Sequence, residues 1–456
     1  ALEAARGWSR PLTFTNWLTT DPLSHPNEPI GKEDMVSVDA THLRATSAWP
    51  GGFFASYHAY PYYPDFLRLQ PELRSARDAY LAYLKELAAY HGKQAVMVTE
   101  FGVPTGIGSA HYGPLGRSQG NHSEQEAGQM DADLLADIQR AGLAGGMLFS
   151  YTDEWFKDTW NTIDLEQPAG RRQLWQSALT NEEQFGIVAE ESGKTPIATV
   201  DGSDKEWTRT QSQQIYEGRG PIREVRAVHD ASWLYLLVRR NGDTPFQLGF
   251  DVRPGSNVGL PGRLGVDPGA DVALSVGPGH TAQLVQSAST DPLRRLYGVT
   301  RHYVPVKRSD LDPGSGAWVS PQLILNRPYT VPGTGEKRPV ELLDVGRLRW
   351  GTANPAAKAF DGRVTVAGGK DLVELRIPWA LLTFTDPSSH MVWVPKGDGS
   401  VGTLKVGRLG IQVAPQGAGP VVTSGYGWDD WNRVDSHERR KAGWPMVERA
   451  MRTAAH

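Results

Sequence analysis

The chain reads as α/β in its first part and all-β in the remainder, and three observations carry that expectation. Up to about residue 185, short apolar runs alternate with stretches of helical period, the pattern of parallel βα units. From about residue 200 the texture changes to short β-rich runs separated by Gly, Pro, Asn and Asp. The length of 456 residues is enough for two substantial cores, so two domains are the starting expectation.

Taken in order, strands are expected at 12–17 (LTFTNW), 53–60 (FFASYHAY), 95–101 (AVMVTEF) and 146–151 (GMLFSY). Between the second and third, Tyr80, Tyr83, Leu84 and Leu87 recur at i, i+3, i+4 and i+7 and stop at Gly92, which predicts a helix with one apolar face. Between the third and fourth, Ser123 and Glu126 have the spacing of a capping box. Met130, Leu134, Ile138 and Ala141 then form a stripe that ends at Gly142. A further helix is expected over 171–180. The segment 186–200 is the expected linker. Beyond it, REVRAVHDASWLYLLVRR predicts a hairpin turning near Asp230–Ser232, and RVTVAGGKDLVELRIPW predicts another at Gly368–Gly369. With FQLGFDV and ADVALSV they predict an antiparallel β-sandwich over 201–425. The tail, 426–456, carries Trp428, Trp431 and Trp444 before a short helical run and is expected to pack back on one of the two domains.

Composition narrows the classes of function. The 47 basic and 51 acidic residues leave a formal charge of -4, which makes no electrostatic case for nucleic acid or an anionic membrane as partner. No apolar run reaches the roughly 18 residues of a membrane span, and the opening ALEAARGWSR lacks the apolar centre of a signal peptide. The chain has no cysteine, which excludes disulfides, zinc thiolates and thiol catalysis. The 15 Trp and 15 Tyr supply flat apolar faces that suit sugar rings as well as cores.

In βα barrels, functional groups gather at the C-terminal ends of the strands. The strand ends here offer Asn16 and Trp17, His58 and Tyr60, Glu100, and then Asp153, Glu154 and Trp155. Each has an ordinary structural reading by itself: a turn cap, hydrogen-bonded core, a solvated loop charge. Jointly, at four successive strand ends, they predict a cleft lined by carboxylate, imidazole, phenol and indole. Strict alternation puts Glu100 on the face of Val96 and Val98, at the last inward position of its strand. His111 and Tyr112 lie in the long Gly-rich loop that follows and are candidates for its rim.

The order TNW, SYHAYPYY, VTEFG and FSYTDEWF, over roughly residues 10–180, resembles strands five to eight of the large clan of retaining glycoside hydrolases built on (β/α)8 barrels. That resemblance implies that Glu100, ending strand seven, is the nucleophile, that His58 or Tyr60 orients it, and that Trp155 forms a floor under the reacting sugar. Asn16, Trp17, His111 and Glu154 complete the expected substrate contacts. A retaining mechanism needs an ionised carboxylate and a second carboxyl about 5 Å away to protonate the leaving oxygen. In the clan that acid/base Glu ends strand four, usually as an Asn-Glu pair, and only four strands precede the sandwich here. The other barrel half, with the acid/base, is therefore expected from an upstream segment, a second polypeptide or another copy of this chain, the first being favoured. Asn27-Glu28-Pro29 matches the letters of the pair, but DPLSHP precedes it where an apolar strand is required, so it is read as loop.

Residues from about 198 to 420 resemble family 9 carbohydrate-binding modules through VDGSDKEW, HDASWLYLLVRR, FDVRPG and VELRIPWALL. Such modules clamp a sugar between paired tryptophans. Trp207, Trp233, Trp318, Trp350, Trp379 and Trp393 are the candidates, with Trp233 and Trp379 read as core. Asp251 and Asp271 are conceivable oxygen ligands, but no sequential acidic loop accompanies them, so no metal and no cofactor is expected. Two classes of function follow. One is a retaining glycosidase or transglycosidase acting on an oligo- or polysaccharide, at an extracellular, cell-surface or cytoplasmic location. The other is a non-catalytic glycan-binding or scaffold protein with a degenerate barrel.

Overall fold

A computed structural model of the chain describes residues 2–30, 36–253, 269–396 and 400–454. Pro254 and Gly255 of the quoted FDVRPG lie outside the described residues. The first part is built on a four-stranded parallel sheet in the order β1 (Thr15–Trp17), β2 (Ala55–His58), β3 (Val96–Phe101), β4 (Gly146–Leu148). The four strands fall where the apolar runs predict them, each shorter than its run.

One face of this sheet is covered by α1 (Ala79–His91) and α2 (Glu124–Arg140). α1 starts because the Asp78 side chain accepts the amide of Leu81, and it stops at Gly92, whose φ of 60° suits glycine. Its stripe of Tyr80, Tyr83, Leu84 and Leu87 is buried against Tyr57, Val96 and Val98. α2 begins with the expected capping box: Glu126 donates its amide to the Ser123 hydroxyl at 3.2 Å, and Ser123 donates its own to the Glu126 carboxylate at 2.8 Å.

Among the described residues no helix covers the opposite face. Across it a row of hydroxyls satisfies itself, Thr15 to Ser56 at 3.1 Å and Ser56 to Thr99 at 2.6 Å, beside the half-exposed Met147. The outer edges of β1 and β4 have no strand partner among the described residues.

In the second part the paired strands of the described residues run antiparallel, with single parallel bridges at Trp350–Val366 and Thr352–Phe360. Five strands, including the hairpins Ile222–His229/Trp233–Arg240 and Val366–Gly368/Leu372–Pro378, form one sheet, and six form another around Phe246–Asp251, Val272–Gly277 and Gly410–Pro415. Alternate residues of both sheets, among them Leu236, Val238, Leu375, Leu248, Phe250 and Val413, enter one shared core, the layering of a β-sandwich. The first hairpin turns at the predicted Asp230–Ser232; the second turns at Lys370–Asp371, just past the expected Gly368–Gly369, because Gly368 still pairs with Val373 and the Gly369 amide donates to the Leu372 carbonyl.

Three elements differ from expectation. The helix expected over 171–180 is a short turn, Ala169–Leu174. Beyond it the amide of Gln176 goes to Ala231 and that of Ser177 to the Glu183 carboxylate, so distant groups take the donors a helix would use. The 186–200 stretch includes a strand, Val188–Ser192, paired antiparallel with Ser436–Arg440 of the tail. The tail continues into α3 (Trp444–Ala454), which packs on α2 with Gly128 and Gly443 backbone to backbone. Arg439 holds Glu124 with two bonds of 3.0 and 2.6 Å, and Lys441 reaches the buried Asp153 at 2.8 Å. No helix among the described residues is long and apolar enough to cross a membrane.

Candidate functional site

Glu100 reaches the helix-free side of the sheet through a break in β3. The register runs Tyr57 to Val98 and then His58 to Glu100, so one residue is skipped. Val96, Val98 and Phe101 therefore all enter the core beneath the helices, while Thr99 and Glu100 both lie on the other face. This corrects the alternation expected from the sequence: an unbroken strand would bury Glu100 with Val96 and Val98. The bulge delivers the carboxylate to a cleft of about 780 Å³.

Two expected neighbours meet Glu100 there. The Tyr60 hydroxyl donates to its Oε2 at 3.0 Å. Nδ1 of His58 lies 3.0 Å from the same oxygen, but out of line for a hydrogen bond. Burial holds the His58 imidazole below its usual range although the Glu100 charge pulls the other way, so the ring is neutral near pH 7. Burial, reinforced by the Glu100 charge, raises the Tyr60 phenol well above its ordinary value and keeps it a donor. Trp17 completes the corner, 45% exposed, its ring 5.3 Å from that of His58 and 6.2 Å from that of Tyr60.

The remaining expected residues divide. His111 lines the cleft between Tyr63 and Trp160, with ring centroids 5.0 and 5.8 Å away, and burial lowers its imidazole to about 4. Asn16 is buried and faces away, donating to the Val38 carbonyl at 2.6 Å. Glu154 is outside the lining, its Oε2 3.6 Å from Lys157. Trp155 is not a floor for a sugar: its indole is buried in the core shared with the antiparallel sheets and donates to the Glu190 carbonyl. Near the end of β4 it is Phe149, just beyond the strand, and the exposed Trp160 that line the cleft instead. Asn27-Glu28 lies outside the cleft lining, and Glu28 is buried as acceptor for the amides of Ile30 and Phe66.

Two parts of the cleft have no counterpart in the sequence reading. One wall comes from the second half of the chain, where Tyr297, Arg301, Tyr303, Asn326 and Arg327 face the sheet. This wall is tied down by Arg68 on Glu341 at 2.7 Å and by Asn326 on Asp65 at 2.6 Å. No local signal announces it, because the contacts span more than 250 residues. The other is Glu182, in the turn Asn181–Gln184, which lines the same cleft as Glu100 and accepts from the buried Gln119 amide at 2.5 Å. Burial pushes the Glu182 carboxyl up to about 7; Lys157 opposes the rise, and the charges of Glu100, Glu154 and Asp158 add to it.

A smaller cavity of about 130 Å³ between the two parts is lined by Asp153, Arg439 and Lys441, which are paired as described, and by Asp230, which accepts from the Tyr235 hydroxyl. Asp271 is fully buried against Arg253 at 3.2 Å, and no group of three potential metal ligands occurs among the described residues. Trp207, Trp379 and Trp393 are buried, and Trp233, Trp318 and Trp350 are half-buried. No family model, curated protein or solved structure matches the chain.

Proposed function

We propose that the chain is the C-terminal part of a retaining glycoside hydrolase or transglycosidase, with Glu100 as the nucleophile that attacks the anomeric carbon. The observation that carries this reading is the carboxylate at the end of β3, held by the Tyr60 phenol and open to an aromatic cleft. A phenol that donates to the carboxylate favours its ionised form and aims one oxygen, while Trp17, Phe149 and Trp160 offer flat faces for the apolar sides of sugar rings. The same reading makes β1 to β4 strands five to eight of a (β/α)8 barrel. Its supports, among the described residues, are the parallel order, the helices on one face and the edges of β1 and β4 without a strand partner, which four more βα units would cover. The antiparallel part is then a carbohydrate-binding-module-like sandwich whose half-buried tryptophans are the ones left to meet a glycan.

A 2-deoxy-2-fluoro glycosyl fluoride panel applied to the full chain, followed by intact-mass and peptide mapping, tests the assignment. The expected result is one covalent sugar on Glu100 and loss of aryl-glycoside hydrolysis in Glu100→Gln by about 10³-fold or more, the scale of removing a covalent nucleophile. Absence of label across the panel, with sugars binding equally to wild type and Glu100→Gln without turnover, would overturn it in favour of a glycan-binding protein.

A further inference from the structure

A double displacement at Glu100 leaves one proton to be supplied to the departing oxygen and later removed from the incoming water or sugar hydroxyl. The carboxyl groups around the cleft are not equally able to do this. Asp65 is committed to Arg68 and Asn326, and Asp158 is exposed to solvent. Glu28 is outside the cleft lining and locked by two backbone amides. Glu182 alone among them is half-buried inside the cleft without a salt bridge; Gln119 binds its Oε1, and Oε2 has no hydrogen-bond partner among the described residues.

Its backbone is also held. The Glu182 amide reaches the Thr159 hydroxyl at 3.4 Å, and the neighbouring Glu183 is buried with Arg172 and caps the Ser177 amide. On the other side Lys441 and Thr105 bind the Gln184 carbonyl. A carboxyl on a turn anchored at both ends keeps its place as substrate enters, which an exposed loop acid does not.

We propose that Glu182 is the proton donor and acceptor of this cleft, so that both carboxyl groups of the reaction lie on this chain; the proposal rests on Glu100 being the nucleophile. In the first step the Glu182 carboxyl passes its proton to the glycosidic oxygen as the bond from that oxygen to the anomeric carbon breaks and Glu100 forms an ester to the same carbon. In the second, the Glu182 carboxylate takes a proton from water or an acceptor hydroxyl, whose oxygen displaces Glu100. Both carboxyl groups return to their starting states.

The electrostatics suit the role. Glu182 feels the charges of Glu100, Glu154 and Asp158 and of the cation Lys157, lies within electrostatic reach of the Tyr60 and Tyr62 phenols, and shares its cleft with Arg301 and Arg327 of the opposite wall. Burial with these neighbours leaves a substantial protonated fraction near neutrality, and conversion of the Glu100 carboxylate to a neutral sugar ester removes one negative neighbour, which favours the ionised Glu182 that serves as base in the second step.

The test compares wild type, Glu182→Gln and Glu182→Ala on phenyl and 2,4-dinitrophenyl glycosides, with sodium azide as added nucleophile. Expected is a loss on the order of 10²–10⁴-fold for the phenyl glycoside, little loss in the glycosylation step for dinitrophenyl, whose leaving group needs no proton, and glycosyl azide from Glu182→Ala. The alkaline limb of the wild-type profile, near the value of about 7 for Glu182, should vanish in Glu182→Gln. The same thermal midpoint in the isosteric Gln variant excludes a folding loss. Equal losses on both leaving groups with no azide product, while fluorosugar still labels Glu100, would overturn the role of Glu182 and leave the nucleophile standing. Wild type that neither hydrolyses nor labels would overturn both.

Discussion

Replacing Tyr60 by Phe isolates the one hydrogen bond that orients Glu100. The ring is 7% exposed and packs against Tyr62 and Phe185 with centroids 5.5 and 5.9 Å away, contacts that Phe retains. Only the hydroxyl is lost, and with it the bond to Oε2 at 3.0 Å. Hydrogen bonds to charged groups contribute about 1.5–3 kcal/mol. A length of 3.0 Å is long for a hydroxyl on a carboxylate, which places this one near the lower figure. About 1.5 kcal/mol corresponds to roughly tenfold in rate if the bond holds Glu100 in its attacking position. Stability should change by less than about 1 kcal/mol, because the Glu100 side chain is 27% exposed and water can replace the phenol. The assay is the rate constant for inactivation by the fluorosugar, which reports only the first step, together with the thermal midpoint. Inactivation at the wild-type rate would refute the argument that Tyr60 positions the nucleophile. A loss beyond a thousandfold would refute it too, since one hydrogen bond of this length cannot supply so much.

Two further predictions concern how the parts are held. In Gly128→Ala the new methyl would lie 2.4 Å from the Gly443 Cα and 2.7 Å from its carbonyl oxygen, so α3 must move; we expect overpacking to cost about 1–3 kcal/mol, partly offset by the better helix propensity of Ala, with faster proteolysis inside 436–454. Urea unfolding at the wild-type midpoint would show that the two helices are not in backbone contact. In Glu374→Ala the amides of Asp201, Gly202 and Ser203 and the indole N–H of Trp207 lose their shared acceptor, which lies between 2.6 and 3.1 Å from each. The Ser203 amide keeps the Asp201 carboxylate and the Gly202 amide is open to water, so the cost falls mainly on the buried Trp207 indole and should be about 1–3 kcal/mol, read as a lower denaturant midpoint; an unchanged midpoint would contradict the burial of that indole.

The features legible in the sequence are those set within a few residues of chain. The Ser123 cap, the stops at Gly92 and Gly142, the stripe of α1 and the turn at Asp230–Ser232 depend on local dihedral preferences and side-chain spacing, and each appears where the letters put it. The grouping of Trp17, His58, Tyr60 and Glu100 was legible for a related reason: parallel strands in sequence order bring their C-terminal ends together, so neighbours at strand ends become neighbours in space.

What the tertiary structure alone decided is which way those side chains point and what stands opposite them. A strand's period of two carries Glu100 to the helix-covered face; only the register with β2 and β4 reveals the skipped residue that turns it into the cleft. Trp155 and Trp160 are equally plausible sugar platforms as letters, and the difference between a buried core indole and an exposed one is set by the antiparallel sheets that cover the first and leave the second. Glu182 and the wall from Tyr297 to Arg327 reach the cleft by long-range packing, for which a sequence has no periodicity. Local chemistry therefore determined the elements and their order, whereas burial, with the charges it places side by side, determined which of their polar residues became a site.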